Sequence, residues 1–454
     1  MTDLALVQPL LAGVGLPSRA PDFGGLTGHR ITIGLLFETH ALFAFLVSGA
    51  TQLGPILEWV GYLKQDQRYD RLARGISKFL VYFFAVGAFF AIAVVTFALT
   101  GLFGKAWQSI NRVTFWAFYV EGWSFAMMVI AAYIWHYSWD HLRAYKRLHI
   151  AIGGQLAIAS FLQVTMIDVV ASYMLTPNNP AQPIRVFLNP TLYPLQVHRT
   201  VGNLAYVAWA VGAYGAIRFL RSRQLEERAY WDWVGSLGML IGTGMSLLQP
   251  IVGYSYAKEI QLHAYGAWYK MMEGTLSPEF LGQITLLGMI FLVPAIYFAV
   301  RLRRDRAPGS FVLKVTAFAL LLDTLFAAIP SHLAFTFDQV QAAGLDRPFW
   351  QGGLVVPFAA MIPYKVTALV FMTLLPWFAI IWYLRGARRI AWGSAGRLEQ
   401  GLCMVSLVLV ATMIMLMGFI RENSRYPDIV AGHITIQGQT YIDQPPSAFP
   451  AGPP

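Results

Sequence analysis

Apolar residues along this chain come in long unbroken runs, not in the alternation of half-buried strands. Ten such runs predict transmembrane helices: 31–62, 76–101, 112–139, 149–174, 196–220, 230–254, 279–302, 312–335, 354–384 and 399–420. Each is long enough to cross about 30 Å of hydrocarbon at about 1.5 Å per residue. The expected fold class is therefore an all-α polytopic membrane protein. The polar stretches between the runs are too short to fold as separate domains, and no internal repeat is visible. Residues 1–30 lack a basic flank followed by an apolar core and a cleavage site, so they read as an exposed lead-in. Residues 255–278 form a polar connection. Residues 421–454 are polar and end in PPSAFPAGPP, which predicts an extended, weakly ordered tail.

Composition supports this reading. The chain has 454 residues, of which 57% are hydrophobic and 12% charged, against about 25% charged in ordinary soluble domains. The net charge of +10 is topological and does not point to nucleic acid. Nineteen Lys and Arg lie after the odd-numbered runs, from Lys64, Arg68, Arg71 and Arg74 to Arg385, Arg388, Arg389 and Arg397. About 11 lie on the other side, spread over longer segments. The odd-numbered loops are expected on the cytoplasmic side, with both termini outside. Cys403 is the single cysteine, so no intrachain disulfide forms. No Cys-x-x-Cys-His is present to attach a c-type haem.

This topology gives each polar residue within the runs a depth. Glu38, His40, Glu121, Asp168, His198, His332 and Lys365 fall in the outer half, with Asp323 near the middle. His136, His141 and His149 fall at the inner edge. Ionisable groups in a bilayer usually face the bundle interior and mark cofactor, ion or proton sites. A neutral imidazole is a good haem-iron ligand, and a carboxylate nearby carries protons or balances charge. The alternatives are ordinary ones. A histidine at the membrane edge is often an interfacial hydrogen-bonder, Asp323 and Lys365 would make an interhelical ion pair, and the Met-rich 404–419 packs or faces lipid. A cofactor-free ion-coupled transporter using Asp168, Asp323 and Lys365 would show paired interruptions in two halves; no such symmetry is seen.

The stretch FLNPTLYPLQVHRTVGNLAYVAWAVGAYGAIRFL (187–220) resembles the segment of cytochrome bd quinol oxidase subunit I that carries an axial histidine of its low-spin b haem; His198 falls on that histidine. ASYMLTPNNP (171–180) is similar to the family's Asn-Gly-Trp-Met-Gln-Asn-Pro segment. THALFAFLVSGATQLGPILEWVGYL (39–63) is similar to its first helix, with His40 on a haem-ligand histidine. YVEGWSFAMMVIAAYIW (119–135) resembles its Glu-Gly helix, with Glu121 on the first carboxylate. GYSYAKEIQLHAYGAWYKMMEG (253–274) resembles the start of the outer loop that binds quinol, placing Lys258 and Glu259 there. The resemblance covers roughly residues 30 to 275.

The chain also departs from that family. Val129 stands where the second carboxylate would be, and the quinol loop is cut short. The Gly-Arg-Gln-Pro-Trp signature is missing; the corresponding region reads AIPSHLAFTFDQVQ. The glutamate expected to ligate a haem there is absent, with His332 as a substitute. Met289 lies about one turn from the methionine ligand's place. A tenth run and an outer tail exceed the usual nine-span subunit.

The resemblance implies helices 1–6 (31–254) binding haem, a quinol-type loop at 255–278, and helices 7–10 at 279–420. It implies b-type haem, one or more, with a second b- or d-type haem. It further implies a multi-pass place in the bacterial inner membrane and a second membrane subunit as partner. Electrons would pass from quinol, or from an external c-type cytochrome, through haem near the outer face, with oxygen as the family's end point. The alternative is a non-oxidase electron-transfer subunit of a larger respiratory complex. In that case GHITIQGQTYI (432–442), which alternates like a strand, would add to a partner's sheet edge.

Overall fold

The computed structural model describes residues 25–96, 102–177, 183–272, 274–328, 342 and 361–436. Long helices dominate, in the order α1 (Gly25–Lys64), α2 (Gln67–Ala93), α3 (Gly104–Val113), α4 (Phe115–Tyr137), α5 (Lys146–Leu175), α6 (Leu192–Arg221) and α7 (Leu225–Ser246). There follow α8 (Gln249–His263), α9 (Tyr265–Met272), α10 (Ser277–Arg304), α11 (Ser310–Ala328), α12 (Met361–Ala387) and α13 (Arg397–Ser424). Two short strands, β1 (Asp428–Val430) and β2 (Ile434–Thr435), close the described chain.

Among the described residues, nine helical stretches are long and apolar enough to cross a membrane. With α6 they account for the ten runs read from the sequence. α6 has 30 residues but is not one of the nine, because Gln196, His198, Arg199 and Asn203 dilute its apolar character. Those residues are affordable because α6 is enclosed by α1, α7 and α13; polar groups in a bilayer are placed toward the bundle interior. Around the outside, large apolar side chains such as Phe89 and Phe311 are exposed, as hydrocarbon surroundings permit. The eighth expected run is helical as far as Ala328 and the ninth from Met361.

The core has two lobes that share α6 and α7. One joins α1, α2, α4, α5, α6 and α7 through residues such as Leu53, Leu80, Trp135 and Val234. The other joins α6, α10, α11, α12 and α13 through Trp209, Phe291, Phe298 and Met413. The α6–α7 crossing is close because small residues face each other. A Cβ at Gly238 would run into the Gly212 backbone and come within 2.7 Å of the Ala208 carbonyl oxygen. A Cβ at Gly242 would lie 2.6 Å from the Trp209 ring. Small residues let membrane helices approach in this way. Gly238→Leu therefore has to force two backbones apart. It is expected to cost more than the roughly 1–3 kcal/mol of ordinary overpacking, seen as a lower thermal midpoint and poorer yield of folded protein.

The two ends of the bundle differ. At one, the arginine end, Asp66 caps α2 by accepting from Arg68 N at 3.0 Å, and the Arg68 guanidinium beside it holds the Asp66 carboxyl below its ordinary value. Deeper at that end, Glu58 is fully buried. It takes the Trp135 Nε1 hydrogen at 2.8 Å, lies 2.5 Å from His149 Nδ1 and pairs with Lys146 Nζ at 2.6 Å. His149 Nε2 sits 2.8 Å from the Trp135 carbonyl oxygen, an acceptor only, so that nitrogen carries a hydrogen. His149, expected at the membrane edge, is thus a braced core residue.

At the opposite, hairpin end, the chain after α13 does not simply trail away. β1 and β2 pair antiparallel, and Ala431 N donates to Met174 O at 3.0 Å. Val430 and Ile434 are buried against Ala106, Ile110, Tyr173 and Leu192. The expectation of an extended tail is corrected for residues 421–436: apolar side chains alternate there, and the ends of α3 and α5 offer a surface to bury them. Within this stretch, Ile434–Thr435 pairs with Asp428–Val430 of the same chain. Residues 437–442 of that stretch lie outside the described residues.

Candidate functional site

His198 lies in the early turns of α6, at the hairpin end. Its ring faces α8, where Gly253 allows close approach: a Cβ there would be 3.4 Å from Cε1 and 3.5 Å from Nδ1. Tyr256 stacks beside it with ring centroids 6.3 Å apart and planes at 26°. Gln249 Nε2 donates to the His198 carbonyl oxygen at 3.0 Å, which fixes the start of α8 on α6. The imidazole Nδ1 is buried and makes no hydrogen bond. His40, on α1, is alike: its Nδ1 is also buried without a hydrogen bond.

An unsatisfied buried polar atom costs about 1–3 kcal/mol, so ring nitrogens left in that state call for a reason. Among the described residues no three His, Cys, Asp or Glu side chains gather as an ion site. A haem iron does not need that, since the porphyrin supplies four nitrogens and the chain only axial ligands. Imidazole is a common axial ligand. An imidazole with a free, buried ring nitrogen fits axial ligation of haem iron, and His198 and His40 are the candidates for it.

Between the helices that carry the two histidines lies a charged network. Arg199, next to His198, pairs with Asp168 of α5, whose side chain is fully buried. The Arg199 guanidinium lies over the Phe45 ring of α1 at 5.3 Å, so it bridges α5, α6 and α1. From α13, Arg421 donates to the Ala171 carbonyl oxygen at 2.9 Å and to Glu422 at 3.3 Å. Arg425 pairs with Glu422. Arg421 is an electrostatic neighbour of Asp168, and Glu422 of Arg199. Glu38, two residues before His40, occupies the space a side chain at Gly418 would need and is a neighbour of both Arg421 and Glu422. Arg30 Nη2 donates to Asn423 Oδ1 at 3.2 Å. Further buried atoms without hydrogen bonds concentrate here: Arg421 Nε, and Arg425 Nε and Nη1.

The other predicted site residues are dispersed. Glu121, on α4, accepts from Gln163 Nε2 of α5 at 2.8 Å, and its hydrogen bond is to neither histidine. Val129 packs into the apolar core, so no carboxylate stands in its place. Lys258 and Glu259 lie on α8, where they bind within their own helix: Lys258 Nζ to Gln261 Oε1 at 2.6 Å and Glu259 to His263 at 3.3 Å. Met289 is exposed on α10. Asp323 Oδ2 is buried without a hydrogen bond. His332 lies outside the described residues, as does the side chain of Lys365.

Sequence reasoning missed Arg199, Arg421, Glu422 and Arg425. Arg199 was hidden by its neighbour, since a histidine in an apolar run draws the eye first. The others stand in RENSR, at the point where the last apolar run gives way to polar residues. α13 continues to Ser424 and carries them into the site.

Comparison with known proteins follows the same lines. The family described as cytochrome bd terminal oxidase subunit I matches residues 29–331. Among solved structures, the bd oxidase from Geobacillus thermodenitrificans is similar in fold, at 16% sequence identity and a TM-score of 0.51, covering 87% of this chain and 98% of that one. No curated protein matches.

Proposed function

The chain belongs to the cytochrome bd terminal oxidase subunit I family, and from that premise we propose that it is the electron-transferring subunit of a bd-related oxidoreductase, with b-type haem held by His198 and His40. The family and the fold make it a multi-pass, haem-containing subunit of the respiratory oxidase kind. The observation that carries the finer reading is the pair of half-buried imidazoles, each with a buried Nδ1 that makes no hydrogen bond, on helices joined by one charged network. Haem bound there supplies one-electron redox chemistry.

The chain's own residues have distinct tasks. The α8–α9 segment, with Lys258 and Glu259, receives quinol or an external c-type cytochrome at the hairpin end. Tyr256 and Gly253 hold the His198 ring in place. Glu121, fixed by Gln163, holds a proton or balances charge. The arginine end faces the cytoplasm of a bacterial cell, and a second membrane subunit completes the complex. Val129 and the missing Gly-Arg-Gln-Pro-Trp signature favour a second reading, in which the subunit passes electrons without reducing oxygen.

A dithionite-reduced minus oxidised visible spectrum of the purified complex tests the proposal. A b-type band is expected, and its absence would sink the assignment. Adding carbon monoxide then separates the readings. A shifted band, with quinol-driven oxygen uptake lost in His40→Ala, supports an open iron and an oxidase. A band indifferent to carbon monoxide supports the closed, electron-transfer form.

A further inference from the structure

We propose that the Asp168–Arg199 ion pair is a positioning device for charge, setting the redox potential of the haem that His198 holds; the inference rests on that haem assignment. Arg199 follows His198 directly in α6, and its guanidinium is permanently charged. Asp168 holds it from α5, with a fully buried carboxylate and no hydrogen bond to any other group. The Arg199 side chain is the more accessible of the two, at 15% against 0%, and it lies over Phe45 between α6 and α1. The positive end of the pair therefore lies where α6 meets α1, the two histidine-bearing helices, and the negative end is the more deeply buried.

A ferric haem carries one more positive charge than a ferrous one. A cation nearby disfavours the ferric state and raises the potential, and a buried setting with little water strengthens the effect. Asp168 limits that rise. The pair has no evident need to be ionic for stability alone, since buried ion pairs often do no better than apolar residues of like size. Arg421 and Glu422 are electrostatic neighbours of it and are the same residues in every variant below, so the pair's own contribution is read by difference.

The test is a spectroelectrochemical titration of the b-type band in the purified complex, with Arg199→Gln, Arg199→Lys and Asp168→Asn. Arg199→Gln is expected to lower the midpoint potential, Asp168→Asn to raise it, and Arg199→Lys to stay nearer the unaltered protein than Arg199→Gln. Shifts of opposite sign from the two halves of one pair are what a purely structural role would not produce. Shifts of the same sign, or no shift with the band intact, overturn the inference. If His198→Ala leaves the band unchanged, the haem assignment itself fails and the inference falls with it. Should Arg199→Gln not assemble, Asp168→Asn, nearly the same shape, still decides the sign: a lowered or unmoved midpoint with the band intact overturns the inference.

Discussion

Replacing His198 with alanine is expected to remove a b-type band completely while costing the haem-free protein little. The reason lies in what the imidazole does not do. Its Nδ1 makes no hydrogen bond, so truncation strands no partner. What is lost is packing against Gly253 and the stacked Tyr256, worth about 1–2 kcal/mol for a side chain of this size at a half-buried place. A histidine serving as an interfacial hydrogen-bonder would behave in the opposite way, with the spectrum kept and stability reduced. His40→Ala is expected to follow the same rule. Lys258→Ala, which breaks only a bond within α8, is expected to leave the spectrum unchanged and slow reduction by quinol. Haem content by pyridine haemochrome, measured beside the thermal midpoint of the haem-free forms, distinguishes these outcomes. Retention of full haem content in both histidine variants would remove the basis of the assignment.

The histidines were legible because they break apolar runs, and a polar residue in such a run is conspicuous whatever its partners. The partners were not legible. Asp168 meets Arg199, and Glu38 lies against Gly418, across separations that no local pattern encodes. Hydrophobic period reports which residues are apolar but not which helices touch. The same limit explains the tail. Alternation at 432–435 marked a strand, yet only the fold shows that its partner is Asp428–Val430. Lys258 and Glu259 were placed by resemblance to a loop, and here they sit in regular helix, bonded to near neighbours. The α6–α7 contact could have been suspected from Gly212, Gly215, Gly235, Gly238 and Gly242. Glycine is common in membrane helices, however, and its presence alone does not choose a facing pair.

The largest stability effect is expected far from the haem ligands, at Asp232 and Arg301 near the arginine end. Both side chains are fully buried, with Arg301 Nη2 and Asp232 Oδ2 2.8 Å apart. The pair also ties down the loop between α12 and α13. Arg301 donates to the Ala391 carbonyl oxygen at 3.1 Å and to Ser394 Oγ at 2.9 Å, and Gly393 N donates to Asp232 Oδ2 at 2.7 Å. Asp232→Ala would leave the buried guanidinium with only the more distant Asp305 carboxylate, at 3.6 Å, and the Gly393 amide without its acceptor. Breaking one side of such a pair costs about 3–5 kcal/mol. In a chain of this size that corresponds to a thermal midpoint lower by roughly 3–5 °C. Asp232→Asn keeps an acceptor for Gly393 and should cost less. The double variant Asp232→Leu with Arg301→Met removes both charges together and should recover most of the loss, because desolvation nearly cancels the attraction in a buried pair. Throughout the series the b-type band should keep its position. If the double variant is as unstable as Asp232→Ala, the loop contacts rather than the charges hold this end together, and the ionic account of α7, α10 and the α12–α13 loop has to be given up.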